Sequence, residues 1–433
     1  MLIEGGVLLT MVEGQEPFYD ARIVISGDTI LEVGSRYAGR KSEAAETINA
    51  EGTIIMPGLI NSHSHSPMTL FRGLADDLPL KQWLFDYIFP AEAAYMHPDS
   101  VYWASLLACA EMIASGTTTV VDGYFLADEV VKAVRTAGMR ALVAQGVIDL
   151  PAPGIPDPGK NIDVARDFLE RWKNFSDLII PGLFCHSSVT CSKETLRNCW
   201  DITRRFDVPL QIHLSETEEE VREIEQRTGS RPALYLDRLG ILQKGLIGAH
   251  AIHLDAEEIE LVAKRGVKLV HCPESNMKLA SGIAAVDLML KEGITVGLGT
   301  DGCASNNNLD LLAEMDAAAK LGKYAKLDPT VLDAETVLAM ATRGGAEVMG
   351  IDDTAGTIEQ GKKADITIVN ADAPHMTPLY NPFSQIVYSA SGGDVRDVII
   401  NGTIVYRNRQ FTALNLAEIL GEVQKIAQRI GCD

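Results

Sequence analysis

Pro57-Gly58-Leu59-Ile60-Asn61-Ser62-His63-Ser64-His65 places a short apolar run between a Pro-Gly break and two histidines that are one residue apart. A run of this length, with a turn signal before it and a polar tip after it, reads as a buried β-strand. In extended backbone, residues two apart point to the same side, so both imidazoles can reach one ion. A polar loop with chance histidines is the competing reading of the pair alone.

Seven further segments have the same make: Thr118 to Asp122, Arg140 to Val147, Ile179 to Phe184, Val208 to Ile212, Leu246 to Ala249, Val267 to Val270 and Thr295 to Gly299. With Leu59 to Ser62 they give eight apolar strands, most of them followed by a helical pattern. That alternation predicts an α/β chain whose residues 57–355 form a (β/α)8 barrel. Catalysis in such a barrel sits at the carboxyl ends of the strands, and these tips carry His63, His65, His186, His213, His250, His271 and Asp301.

The two ends of the chain read differently. Ala21 to Ser26 and Thr29 to Val33 flank Gly27-Asp28, a hairpin signal, and Thr53 to Met56 is another short strand. Ala364 to Val369 and Val395 to Tyr406, the latter broken at Asn401-Gly402, look alike. The expectation is a small composite β-sandwich from residues 1–56 and 356–412, followed by a C-terminal unit, 413–433, with an amphipathic helix over Leu416 to Ile430.

Composition narrows the function classes. The 433 residues are 46% apolar, enough for a large core. A net charge of -21 repels a phosphate backbone or an anionic bilayer, so nucleic acid and membrane are poor partners. Seven cysteines without a repeated CxxC pattern point to reduced thiols. The apolar opening meets Glu13 and Glu16 too soon for a secretory signal, and no run of about 18 apolar residues follows. A cytoplasmic protein acting on a small molecule is expected, with homo-oligomers left open.

His63, His65 and His213 offer neutral nitrogens and Asp301 a carboxylate, a set that suits one catalytic Zn²⁺ or Fe²⁺ per chain with a position open for water. Glu216 follows His213 where strand turns to helix, and can protonate a ring nitrogen; the plain alternative is a first-turn helix carboxylate like Glu218, Glu219 and Glu220. His250 can orient the attacking water or carry its proton, and Asp301 can bind the metal through one oxygen and take a proton with the other. His253 and His271 read as structural, and His97 and His375 as loop or surface residues.

The run from Pro57 to His65, His213 with Glu216, and Thr300-Asp301-Gly302-Cys303-Ala304-Ser305-Asn306-Asn307 resemble the amidohydrolase superfamily. More narrowly, Met68 to Asp77 (MTLFRGLADD) followed by Trp83-Leu84 is similar to the 5-methylthioadenosine/S-adenosylhomocysteine deaminases, and the likeness runs over nearly the whole chain. The resemblance implies metal binding by His63, His65, His213 and Asp301, and proton transfer by Glu216 and His250. It also implies that Glu92, in Phe89-Pro90-Ala91-Glu92, holds the ribose hydroxyls, that His186 makes a second substrate contact, and that Trp83 and Ser305 line the purine pocket. Without the resemblance, Glu92 reads as a solvated helix residue.

The implied reaction is hydrolytic deamination of an adenine nucleoside to an inosine-type product and ammonia. The alternatives are another ring substrate (guanine, an oxidised purine, a cytosine-like ring or a triazine) and, from a different class, a silent scaffold. A scaffold has no need of Glu216 and His250 beside four ligands. A binuclear centre bridged by a modified lysine is disfavoured because the fourth strand tip offers His186. In the family pattern, arginines after the third strand meet the carboxylate of the homocysteine tail; Ile148 to Asn161 here has only Lys160 as a cation. The apolar Leu150, Pro151, Ala152 and Pro153 suit a short thioether, so methylthioadenosine or adenosine is expected to be used at least as well as S-adenosylhomocysteine unless Arg135 or Arg166 reaches in.

Overall fold

A computed structural model describes residues 1–36 and 45–430. All eight strands expected of a barrel are present: β1 (Leu59–Ser64), β2 (Thr117–Tyr124), β3 (Arg140–Val147), β4 (Ile179–Ser187), β5 (Leu210–Leu214), β6 (Leu246–His250), β7 (Lys268–His271) and β8 (Val296–Leu298). Each pairs in parallel with the next, in sequence order. Every residue of β2 and β3 is buried, as expected of strands covered on both faces. Several strands run further toward their carboxyl ends than the apolar pattern indicates, so Ser64, Tyr124, Ser187 and His250 are still strand residues.

The barrel closes between its first and last strands through side chains as well as backbone. Asn61 on β1 donates through Nδ2 to Thr300 Oγ1 at 2.7 Å and accepts the Thr300 N–H at 3.1 Å. One step on, Asp301 N–H donates to His63 O at 3.0 Å. The approach is close enough that a Cβ on Gly299 would stand 2.8 Å from the His63 Cβ and backbone nitrogen, so glycine is required there.

The ends of the chain build two further sheets. Thr53–Pro57 pairs antiparallel with Ile366–Asn370, joining front and back at the centre of a seven-stranded sheet. Val7–Leu8 and Phe18–Tyr19 extend it on one side; Val395–Ile400, Thr403–Arg407 and Gln410–Phe411 extend it on the other. A four-stranded sheet contains the hairpin Ala21–Ser26 with Thr29–Ser35, and Ile3, Ile23, Ile30, Ile55, Ile366 and Ile368 pack in the core the two sheets share. The terminal helix Leu416–Ile430 buries Ile419 and Ile426, one face at helical spacing, and packs along helix Pro98–Ala114. Among the described residues no helix is long and apolar enough to cross a membrane. Six described cysteines are buried and free; Cys432 lies outside the described residues.

The lower end of the barrel is tied to the sandwich by a buried ion pair. Arg140 Nε, at the start of β3, donates to Asp365 Oδ2 at 2.8 Å, and Asp365 Oδ1 accepts the Asn401 N–H at 2.6 Å. Arg140 Nη1 also donates to Asp177 O at 3.1 Å. Removing one member of a buried pair strands the other charge, so Asp365→Ala is expected to destabilise the protein by about 3–5 kcal/mol. The paired replacement Arg140→Leu with Asp365→Leu is expected to cost less than the single change. Denaturant unfolding of the three proteins checks the order.

Candidate metal centre and active site

The carboxyl tips of β1, β5, β6 and β8 converge. His63 Nε2 lies 3.3 Å from His213 Nε2 and 3.4 Å from Asp301 Oδ1, and His65 Nε2 lies 3.2 Å from the same oxygen. Donor atoms about 2.1 Å from a tetrahedral ion stand about 3.4 Å from one another, so these separations are the edges of such a polyhedron. One ligand atom each from His63, His213, His250 and Asp301 also fall within 4.8 Å of one another. Three imidazoles from two strands and one carboxylate from a third therefore fit a single divalent ion, with His250 at its margin.

Partners outside the cluster settle how His65, His250 and Asp301 face it. His65 Nδ1 donates to Gly123 O at 2.6 Å, which leaves the lone pair on Nε2 toward the centre. His250 Nδ1 donates to Asn276 Oδ1 at 2.9 Å with the same result. Asp301 Oδ2 accepts from Ser275 Oγ and from Ser305 Oγ, both at 2.7 Å, so Oδ1 is the oxygen presented to the histidines. Burial pushes the His63 imidazole down to about 4 and holds His213 well below its ordinary value, favouring the neutral form of both. Burial opposes ionisation of Asp301, yet the facing imidazoles of His63 and His65 hold the carboxyl well below its ordinary range. Deprotonated donors are what a cation needs.

The centre opens into a cavity of about 1020 Å³. Its wall includes His65, Trp83, Glu92, His186, His213, Glu216, His250, Asp301 and Ser305, so nine of the ten candidate residues face one space; His63 lies buried behind them. Burial raises the Glu216 carboxyl, favouring the protonated form of a group beside the centre. Glu92 is buried rather than solvated: burial pushes it up to about 7, and Tyr124 Oη donates to Glu92 Oε1 at 2.5 Å. The His186 ring stands 5.2 Å from that of His213, its Nδ1 2.9 Å from Thr190 Oγ1, and burial lowers it to about 4.

His253 lines the cavity with Nε2 donating to Ser281 O at 2.6 Å, and His271 is buried at the end of β7. Asn276, Ser275 and Tyr124 orient the functional groups yet carry no local sequence signal: each meets its partner across 26 to 32 residues of chain. The segment after β3 lies differently from its expectation. Leu150, Pro151, Ala152 and Pro153 line a small side cavity of about 20 Å³ with Glu92 and are absent from the main cavity's wall. Arg135 stacks on Phe175 at 4.6 Å, and Arg166 pairs with Asp163 at 3.2 Å. The cations on the main wall are Lys81 and Arg222, among Glu218, Glu219, Glu220 and Glu223.

Fold and centre together define a metal-dependent hydrolase of the barrel type, and the amidohydrolase family profile matches residues 54–405, so the chain belongs to that family. Over 430 residues it is 45% identical to 5-methylthioadenosine/S-adenosylhomocysteine deaminase 1 of Syntrophus aciditrophicus, covering 99% of this chain and 97% of the relative. Over 431 residues it is 46% identical to the enzyme of that name from Syntrophobacter fumaroxidans, covering 99% and 98%. By this full-length likeness it stands among the 5-methylthioadenosine/S-adenosylhomocysteine deaminases. An adenosine deaminase from Xanthomonas campestris, solved with bound zinc, superposes with a TM-score of 0.97 at 37% identity, over 100% of this chain and 98% of that one. The zinc-complexed atrazine chlorohydrolase of Arthrobacter aurescens shares the fold, with a TM-score of 0.92 at 23% identity over 98% and 99% of the two chains.

The purified protein is expected to hold one divalent ion per chain. Asp301→Ala removes the oxygen that faces both His63 and His65 and is expected to lose that ion. Elemental analysis checks both; two tightly held ions in the wild type, or full occupancy in the variant, would contradict the geometry.

Proposed function

We propose that this chain hydrolytically deaminates an adenine nucleoside, yielding the inosine-type nucleoside and ammonia. The observation that carries it is the convergence of His63, His65, His213 and Asp301, at 3.2 to 3.4 Å, on a cavity that also holds Glu216, His250 and Glu92. Zinc is the ion we assign, in keeping with the nitrogen-rich donor set and with the zinc in the Xanthomonas campestris enzyme. Bound there, the ion acts as a Lewis acid that makes a nucleophile of water near neutral pH.

The chain's own groups do the rest. Asp301 takes the proton of the attacking water, and His250, held by Asn276 with its Nε2 acceptor inward, orients that water. Glu216, its carboxyl pushed upward by burial, delivers a proton to the ring nitrogen next to the carbon under attack. The proton taken up by Asp301 passes to the amino group, which leaves as ammonia, and the hydroxyl on that carbon returns its proton to Glu216 as the carbonyl forms. Tyr124 occupies one oxygen of Glu92, and the other accepts from the ribose hydroxyls. His186, Trp83 and Ser305 contact the substrate along the cavity wall. Free, buried thiols at the six described cysteines support a cytoplasmic setting.

The cavity wall carries the cations Lys81 and Arg222 together with the acids Glu218, Glu219 and Glu223, a balance that gives a carboxylate tail no net pull. In an ammonia-release panel, methylthioadenosine and adenosine are therefore expected to reach kcat/KM values at least equal to that of S-adenosylhomocysteine, with guanine far lower. A guanine or triazine preference would overturn the assignment. Glu216→Gln is expected to keep the metal and lose about 10²-fold or more in kcat, the usual worth of a general acid. Paired metal analysis and steady-state kinetics check it, and a loss under about tenfold would remove Glu216 from the role.

A further inference from the structure

Helix Glu218–Thr228 begins one residue after the turn that carries Glu216. Thr217 caps it, its side chain accepting the Glu220 N–H at 3.1 Å. In the usual reciprocal cap, the carboxylate of the third helical residue returns to the backbone amide of the capping residue itself. Here it reaches one residue further, and Glu220 Oε2 accepts the Glu216 N–H at 2.7 Å. Glu220 lines the catalytic cavity, and the other oxygen of its carboxyl, Oε1, is buried without a hydrogen-bond partner among the described residues. Glu218 and Glu219 stay exposed, which suffices for acids that serve only the helix dipole. Burying Glu220 with one oxygen unsatisfied costs free energy that a solvated cap would not incur.

What Glu220 holds is the turn. Ser215 has a φ of +50°, in the left-handed region where a residue with a Cβ is strained. From the neighbouring strand tip, Ala251 N–H donates to Leu214 O and His253 N–H donates to Ser215 O, both at 2.9 Å. These two bonds secure the carbonyls of the turn. Glu220 secures the amide on the other side, at the residue whose carboxyl faces the cavity. With both sides held, the peptide joining Ser215 to Glu216 has one orientation, and the direction of the Glu216 Cα–Cβ bond follows from it.

We infer that Glu220 is a positioning residue for Glu216, its buried carboxyl clamping the strained turn so that the Glu216 carboxyl is aimed at the reacting ring. The inference rests on the reading of Glu216 as the proton-transferring acid. Glu220 acts as an acceptor, so Gln can replace it and Met, of similar length, cannot.

Steady-state kinetics and metal content of the metal-loaded Glu220→Met, Glu220→Gln, Glu216→Gln and Glu216→Gln/Glu220→Met enzymes test it. Glu220→Met is expected to lower kcat at least about tenfold, because misplacement of a catalytic group by about 1 Å can cost about 10²-fold. KM and metal content stay near those of the wild type, and Glu220→Gln restores most of kcat. In the Glu216→Gln background, Glu220→Met adds little, since the two changes disable one function. Wild-type kcat in Glu220→Met beside an inactive Glu216→Gln overturns the clamp and leaves the acid standing. Full activity in Glu216→Gln overturns the acid itself. A Glu220→Met loss that multiplies onto that of Glu216→Gln, or that comes as lost metal or raised KM, also overturns the clamp. If Glu220→Met does not fold, Glu220→Gln decides: a kcat loss above about tenfold with fold and metal intact overturns an acceptor role.

Discussion

Closure of the barrel between β1 and β8 is the constraint on which the rest depends. Asn61 is bonded twice to Thr300, and Asp301 N–H bonds to His63 O. The same contacts that complete the sheet therefore bring the His63 and His65 pair against Asp301. Fold and centre cannot be separated here: if the first and last strands slipped by one residue, side chains would change faces and the carboxylate would leave its histidines. The remaining nitrogens come from β5 and β6, whose registers with their neighbours continue to His213 and His250 at the very end of pairing.

Rigid parts of the protein hold the donors, and strained parts present them. Gly123 O, Asn276, Ser275 and Ser305 fix the outward side of His65, His250 and Asp301 by hydrogen bonds of 2.6 to 2.9 Å. Ser215, His250, Ala251 and Asp301 all adopt positive φ, so left-handed backbone gathers at the catalytic rim. Each such residue costs of order 1–3 kcal/mol and persists only where its surroundings over-determine it. That cost is met by the buried strands below, where stability is plentiful.

Much of this was legible in the sequence because it repeats. Eight apolar strands with polar tips announce the barrel, and HxH at the end of one strand announces the ion, because both depend on short-range periodicity. The turn signal at Gly27-Asp28 and the break at Asn401-Gly402 likewise marked real hairpins. Glu92, Trp83 and Ser305, and the substrate role of the strand-tip His186, rest on family resemblance; read as a helix residue, Glu92 is solvated, whereas in the fold it is buried and bonded to Tyr124 on another element. The segment after β3 misled for the same reason: composition tells that Leu150 to Pro153 seek cover, and only the fold tells which cavity they cover. Asn276 and Glu220 were illegible as functional residues, since what matters is the one backbone or ring atom each meets in space.

The composite sandwich also has a consequence for the order of synthesis. Thr53–Pro57 is made long before its partner Ile366–Asn370. At about 5–20 residues per second, the roughly 300 residues between them take on the order of 15–60 s. Throughout that interval the strand presents unpaired backbone and apolar side chains at an open edge, the arrangement that invites pairing with another chain. The topology thus leaves that edge of Thr53–Pro57 open until Ile366–Asn370 has been made.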